Sequence, residues 1–446
     1  MSEYWIGYRE HYRDITKLSL PIMVAQLGTI VTGYADTMMV GHYSTPALAS
    51  ASFVSNVFNL VIMLSLGFSY GITPLVGALF SQGEKQKAGA MLRTVTFANA
   101  IYGAVVLGAM VVFYCCLPLM GQPDELLPLI REYFMLILVS MVPVVFTHVM
   151  RQFADATGHT ALGMWIFTIG NIANIIGNYI LIYGHFGAPE MGLTGAGWAT
   201  LGARALMCVA YLAVILISKR YRPYCEGFSA ARTTMKQLRA VTAKSLPISM
   251  QMGMETGIFT VAGIVVGWLG TNSMAAYQIL VMLGSLGFMI YYAFGAGMAI
   301  KIAHYKGLDD NQGVRRATHA GYVLTLICTA VACLVFVVFG PEIIALFTRD
   351  EAVIAIAVSL LWPLVLYQLG DATQVTFANA LRGIGFVKPM MNCAFAAYVV
   401  LGVPLLYVLG VPQHLGLLGI YLAFFVALLA AGILFWHYFR KATRQP

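Results

Sequence analysis

The sequence predicts an all-α polytopic membrane protein, with twelve transmembrane helices in two six-helix bundles related by a pseudo-two-fold axis along the membrane normal. Three observations carry this. The 446 residues are 60% hydrophobic and only 10% charged, with a mean hydropathy of +0.80, a balance foreign to soluble domains. The apolar residues gather into twelve runs of helical length. Short sequence marks in the first half also recur in the second at a nearly constant displacement.

The runs fall at 16–41, 47–80, 90–116, 126–149, 161–184, 192–218, 243–269, 273–300, 317–340, 352–378, 387–411 and 415–438. About 20 apolar residues span the hydrocarbon core, so runs beyond 25 imply tilt or extension past the bilayer. Pro143 and Pro363, with Gly295 and Gly297, predict kinks, which neighbouring helices can tolerate by re-satisfying freed backbone groups. The polar, amphipathic start MSEYWIGYREHYRD has no apolar signal core and no cleavage site, so the first run is expected to remain. Six of the seven cysteines lie in or beside apolar runs, and no CxxC or Cys/His cluster argues for a metal or a disulfide.

Lysine and arginine set the expected orientation. The basic residues before the first run, in alternate loops, in the link 219–244 and after the last run make up 23 of the 26. Arg151 and Arg382 are counted among these loop charges. The opposite loops hold only Arg131 and Arg349, and Arg204 lies inside the sixth run. The positive-inside rule then puts both termini and the central link in the cytoplasm. The net charge of +8 is therefore no nucleic-acid signal.

The repeats follow the same frame. Phe153-Ala154-Asp155-Ala156 returns as Phe377-Ala378-Asn379-Ala380, and Gly192-Leu193-Thr194-Gly195 as Gly416-Leu417-Leu418-Gly419, both displaced by 224 residues. Ser19-Leu20-Pro21-Ile22 returns as Ser245-Leu246-Pro247-Ile248, displaced by 226. The expected organisation is an N-lobe (1–218), a basic cytoplasmic linker (219–240) and a C-lobe (241–446). Six helices per half give both copies the same orientation, hence the axis along the membrane normal.

Four intramembrane ionisable groups stand out: Asp36 in the first run, Arg204 in the sixth, Glu255 in the seventh and Asp371 in the tenth. A charge at mid-membrane costs roughly 2.5–3.5 kcal/mol on insertion scales, so each acid is expected to face protein or water. Three of the four are acids, an interior suited to cations. On the duplication frame Glu255 corresponds to Thr29, Asp371 to Thr147 and Asp36 to Ala262, so the halves share a frame but not their acids.

Tyr367 and Gln374 flank Asp371 on one helical face, with Gln368 nearby, an oxygen-rich setting for a cation. Asn171, Asn174 and Asn178 form a stripe on the fifth run, with Thr200 on the sixth as a further neighbour for Asp36. That stripe lines a cavity or glues helices together. Arg204 reads as a structural partner for an acid or for backbone carbonyls. Met252 and Met254 beside Glu255, and Phe288, Tyr291 and Tyr292 on the next run, would give soft walls suited to large, varied lipophilic cations.

Phosphate-loop, zinc-protease and nucleophile-elbow signatures are missing, as are the acid pairs or His/Cys clusters of a membrane-embedded enzyme, so no enzymatic activity is expected. The loop SQGEKQKAGAMLR lacks the basic signature of a major-facilitator transporter.

The twelve-run layout and the stretches PIMVAQLGTIVTGYADTMMVG, LPISMQMGMETGIF and YQLGDATQ together resemble the multidrug and toxic compound extrusion (MATE) family, its NorM-like branch in particular. The resemblance spans essentially the whole chain. It implies a cation-binding site of Glu255, Asp371 and Tyr367 in the C-lobe, able to take Na⁺, and a polar site of Asp36, Asn174, Asn178 and Thr200 in the N-lobe. Where one branch carries an aspartate on the fifth helix, this chain has Asn178. Asp36, Glu255 and Asp371 are the carboxylates expected to meet a cationic substrate.

The implied function is Na⁺- or H⁺-coupled antiport of lipophilic cationic drugs across a bacterial inner membrane by alternating access. It would need no cofactor beyond the coupling ion, no nucleic acid and no obligate protein partner, with membrane lipids as surroundings. A lipid-linked oligosaccharide flippase of the same wider superfamily is the alternative; it would carry more cationic residues in its cleft.

Overall fold

The computed structural model describes residues 2–120 and 123–444, with side chains described from Tyr8 onward. The amphipathic reading of the first seven side chains lies outside the described residues.

The helices are α1 (Ser2–Tyr43), α2 (Thr45–Ser69), α3 (Ile72–Ser81), α4 (Lys85–Cys116), α5 (Leu127–Ala156), α6 (Thr160–Tyr183), α7 (Gly192–Ile217), α8 (Arg222–Ala230), α9 (Met235–Gly267) and α10 (Thr271–Gly307). They continue with α11 (Asn311–Phe347), α12 (Glu351–Ser359), α13 (Leu361–Ile384), α14 (Lys388–Ala394), α15 (Val403–Gly410) and α16 (Gly416–Arg444). Among the described residues there is no strand.

Eleven continuous helical segments are long and apolar enough to cross a membrane, and α12 with α13, bent by 45°, completes a twelfth. The chain is a multi-pass membrane protein of the expected all-helical class. Several spans reach 36 or 37 residues, which at about 1.5 Å per residue is well beyond the hydrocarbon thickness.

The helix breaks follow proline chemistry only in part. α13 starts two residues before Pro363, so that proline sits in a first turn, where its missing N–H breaks no helical bond. Pro143 lies inside a continuous α5, and α10 runs unbroken through Gly295 and Gly297. Those two glycines serve close packing: a side chain at Gly297 would collide with Ser19, and one at Gly295 would press on Asn379. Two unforeseen irregularities appear. The 47–80 run breaks between α2 and α3 at Tyr70 and Gly71, ahead of Pro74. The 387–411 run widens into a π-helical stretch, Phe395–Gly402, ahead of Pro404, which cannot supply the N–H for the usual bond.

The link 219–240 contains α8, which packs on the start of α4. Side chains at Gly89 or Gly227 would collide with the Tyr224 and Gln86 carbonyls respectively, so only paired glycines allow this approach. Arg93 caps the contact by donating to the Phe228 carbonyl at 3.1 Å.

The chain packs into two compact units. One comprises Val24–Ser249; the other comprises the chain up to Met23 and from Met250 onward. This division differs from the halves 1–218 and 241–446 of the duplication, because α1 and α9 each change unit along their length. The start of α1 is held in the C-terminal unit by Lys301 Nζ on Asp14 Oδ2 at 2.7 Å and by Ser19 seated on Gly297. The start of α9 is held in the N-terminal unit by Ser249 Oγ, which donates to the Leu64 carbonyl at 2.7 Å, and by Ser245 seated on Gly71. Gly71 and Gly297 are themselves 226 residues apart, the displacement of the two serines. Each Ser-Leu-Pro-Ile motif is thus the landing point of a glycine from the opposite half of the sequence.

Within each unit the same pairing recurs. α5 packs on α7, and α13, the equivalent of α5, packs on α16. The apolar cores lie between these helices, around Phe134 and Phe153 in the N-terminal unit and around Phe424 and Phe435 in the C-terminal one.

Candidate functional site

In the N-terminal unit the asparagine stripe comes together with Asp36. The spacing of Asn171, Asn174 and Asn178 puts all three on one face of α6, and all three are buried. Asn178 Nδ2 donates to Asp36 Oδ1 at 2.5 Å and is 3.4 Å from Asn174 Oδ1. Asn174 Nδ2 reaches Thr200 Oγ1 at 3.4 Å, and Asn171 lies against Gly28 of α1. Asp36, Asn171, Asn174 and Thr200 line a cavity of about 260 Å³, together with Thr29, Thr147, His148 and Arg204 and the apolar Ile62, Val144, Phe167 and Met207. The stripe therefore lines a cavity and also joins helices.

Arg204 has a larger place than a structural tether. It donates to Ser140 Oγ at 2.6 Å, yet it also lines this cavity within electrostatic range of Asp36. An acid and a guanidinium on one cavity wall leave it close to charge balance.

In the C-terminal unit Glu255 is half-buried on α9 and Asp371 is 2% exposed on α13. The carboxylates are close enough to interact electrostatically. Gln374, one turn along from Asp371, joins them by donating from Nε2 to Glu255 Oε2 at 3.1 Å. A second amide, Gln251 Nε2, donates to the same oxygen at 2.5 Å.

The hydroxyl on Asp371 Oδ2 belongs to Tyr291 of α10. Tyr367 is buried within electrostatic range of both acids, with its ring packed among Phe259, Tyr421 and Phe424. Gln368 turns elsewhere and donates to the Gly284 carbonyl at 3.0 Å, tying α13 to α10. Among the described residues no three His, Cys, Asp or Glu side chains gather as a metal site. An ion held between Glu255 and Asp371 would complete its shell from neutral oxygens.

Two of the supposed loop charges are buried inside helices. Arg151 is 6% exposed near the end of α5, 3.8 Å from Asp155 Oδ2 and stacked 4.4 Å over the Phe167 ring. Arg382 is 3% exposed in the last turn of α13 and donates to Gln251 Oε1 at 2.7 Å. Their apolar runs end earlier by hydropathy than the helices do, which put both arginines in loops on sequence. The charges persist only because each is paired or hydrogen-bonded.

Counting them changes the charge picture. Among these helix-embedded groups the N-terminal unit holds Asp36 and Asp155 against Arg151 and Arg204, whereas the C-terminal unit holds Glu255 and Asp371 against Arg382. The anionic surplus expected throughout the interior is confined to the C-terminal unit.

Of the residues the sequence reading passed over, Gln251 had a signal, since it stands four residues before Glu255, on the same helical face. Tyr291 had only been placed in a soft wall. Its bond to Asp371 spans 80 residues and has no local signature.

Comparison with known proteins fits this geometry. The family model described as MatE matches residues 21–180 and 247–408, once in each half. The multidrug resistance protein NorM of Photobacterium profundum is 29% identical over 96% of this chain and 95% of its own length. The multidrug resistance protein PmpM of Pseudomonas aeruginosa is 31% identical over 90% of this chain and 84% of its own length. Among solved structures, a MOP superfamily transporter from Pyrococcus furiosus superposes with a TM-score of 0.87 at 19% identity, covering 97% of this chain and 96% of that one. A multidrug resistance MATE family transporter in an outward-facing conformation superposes with a TM-score of 0.88 at 19% identity, with the same coverage. At this identity the superpositions speak for the fold.

Proposed function

The chain belongs to the MatE family, and on that premise we propose that this multidrug transporter, which is not an enzyme, exports lipophilic cationic compounds in exchange for Na⁺ or H⁺. The observation that carries the coupling is the acid pair of the C-terminal unit. Glu255 and Asp371 lie within electrostatic range of each other, with Gln374 between them and Tyr291 on Asp371. Two carboxylates in a low-dielectric interior are not both ionised cheaply, so a cation or a proton stabilises the pair.

An ion entering down its gradient can drive export only through its different affinity for the two access states. Asp36, with Asn174, Asn178 and Thr200 around it, serves as a polar contact for substrate or ion in the N-terminal unit. There Arg204 offsets its charge, so the stronger cation site is the C-terminal one. The surplus of acid in that unit favours drug export over the flipping of phosphate-linked sugars.

The deciding experiment is substrate efflux from reconstituted vesicles under an imposed Na⁺ gradient and then under a pH gradient alone. Export driven by either supports antiport; export indifferent to both overturns it. The bacterial inner membrane, with both termini cytoplasmic, is the proposed setting. In a background freed of the seven native cysteines, a cysteine placed at the exposed Gln413 should react with an impermeant reagent in intact cells, and one at the exposed Lys236 should not.

A further inference from the structure

Glu255 Oε2 accepts from two amides, Gln251 and Gln374, which leaves Oε1 to meet an ion or a proton. An amide side chain can present either its oxygen or its NH₂, and a half-turn exchanges them. At Gln251 the choice is made from outside the site. Arg382 Nη2 donates to Gln251 Oε1 at 2.7 Å, and a guanidinium has five N–H groups and no acceptor, so only the oxygen can face it.

Gln251 is 0% exposed, so water cannot rescue a wrong orientation. A flipped amide would set NH₂ against the guanidinium and oxygen against the carboxylate, two repulsive contacts in place of two hydrogen bonds. Arg382 is steadied in turn by Asn379, whose Oδ1 accepts at 3.4 Å while its Nδ2 is committed to the Val375 carbonyl at 2.9 Å. Every donor in this chain points the same way, and it ends on Glu255.

We propose that Arg382, acting through Gln251, is a positioning residue that sets the balance of Glu255 between its proton-bearing and ion-binding forms. The inference rests on the reading of Glu255 as a coupling carboxylate. Amide N–H groups favour the ionised carboxylate. Without the arginine, Gln251 is free to turn its oxygen toward Glu255, and only a protonated acid can donate to that oxygen.

The test is the pH profile of substrate transport by the full-length protein in vesicles, for Arg382→Lys, Arg382→Gln and Gln251→Leu. Lysine is also donor-only and should keep the wild-type profile. The other two should move it toward higher pH by about one unit, a tenfold change in proton concentration. Where Arg382→Gln fails to fold, Gln251→Leu carries the test, because it leaves the arginine in place.

A second readout needs no transport. In purified protein, the infrared band of a protonated carboxylic acid that vanishes in Glu255→Gln should titrate at higher pH in Gln251→Leu than in wild type. An unchanged profile and an unchanged band in Gln251→Leu would overturn the proposal. If Glu255→Gln transports like wild type, the coupling reading fails instead, and the infrared titration still decides whether the relay acts on Glu255.

Discussion

Ser245 sits against Gly71 so closely that any side chain on the glycine would overlap its hydroxyl, and Ser19 sits in the same way against Gly297, 226 residues further on. Both serines are fully buried, and neither hydroxyl has a hydrogen-bond partner. They are kept for their size, not for a bond. Gly71→Val and Gly297→Val should therefore each destabilise the protein by about 1–3 kcal/mol through overpacking. Ser245→Ala should be neutral or slightly stabilising, because it removes an unpaired buried hydroxyl. Thermal unfolding of the purified variants checks both; equal losses for the glycine and serine changes would count against the packing account.

The acid pair gives the sharpest functional expectation. Glu255→Gln or Asp371→Asn should each abolish or uncouple ion-driven export, and the double variant should be little worse than either, as expected for groups acting as one unit. Losses that simply add, measured in the same vesicle assay, would mean two independent sites.

Asp36→Asn keeps the shape of the side chain and removes its charge. Beside Arg204 and Asn178 it should leave the protein folded and inserted but cut transport by about tenfold or more, roughly the 1.4 kcal/mol of one charged contact. Wild-type efflux at normal expression would return Asp36 to a packing role.

The His159 imidazole, outside the membrane spans, is held below its ordinary value by burial and then by the charge of Arg220. As pH falls, the unfolded chain takes up this proton before the folded one. The stabilising contribution is therefore complete above about pH 6.5 and is lost as the pH falls through the folded value. His159→Gln should lose less of its thermal midpoint than wild type between about pH 8 and pH 5.5. A fall equal to wild type's would mean that other groups carry the acid sensitivity.

Read alone, the sequence determined what depends on local composition and on the period of the helix. Apolar runs reported the spans, because a membrane requires about 20 apolar residues wherever a helix crosses it. The lone acids Asp36, Glu255 and Asp371 announced themselves by their cost in that setting. The one-face spacing of Asn171, Asn174 and Asn178 carried through to a cavity wall, since neighbours along a helix are fixed by its turn.

What only the tertiary structure decided is pairing across long separations. Hydropathy cannot tell a buried, hydrogen-bonded arginine from a loop charge, so Arg151 and Arg382 were misplaced, and with them the balance of charge between the two units. Nor does any local rule join Tyr291 to Asp371 or Arg382 to Gln251, 131 residues away. Such bonds form where packed helices bring donors and acceptors within about 3 Å, and that distance is a property of the fold alone.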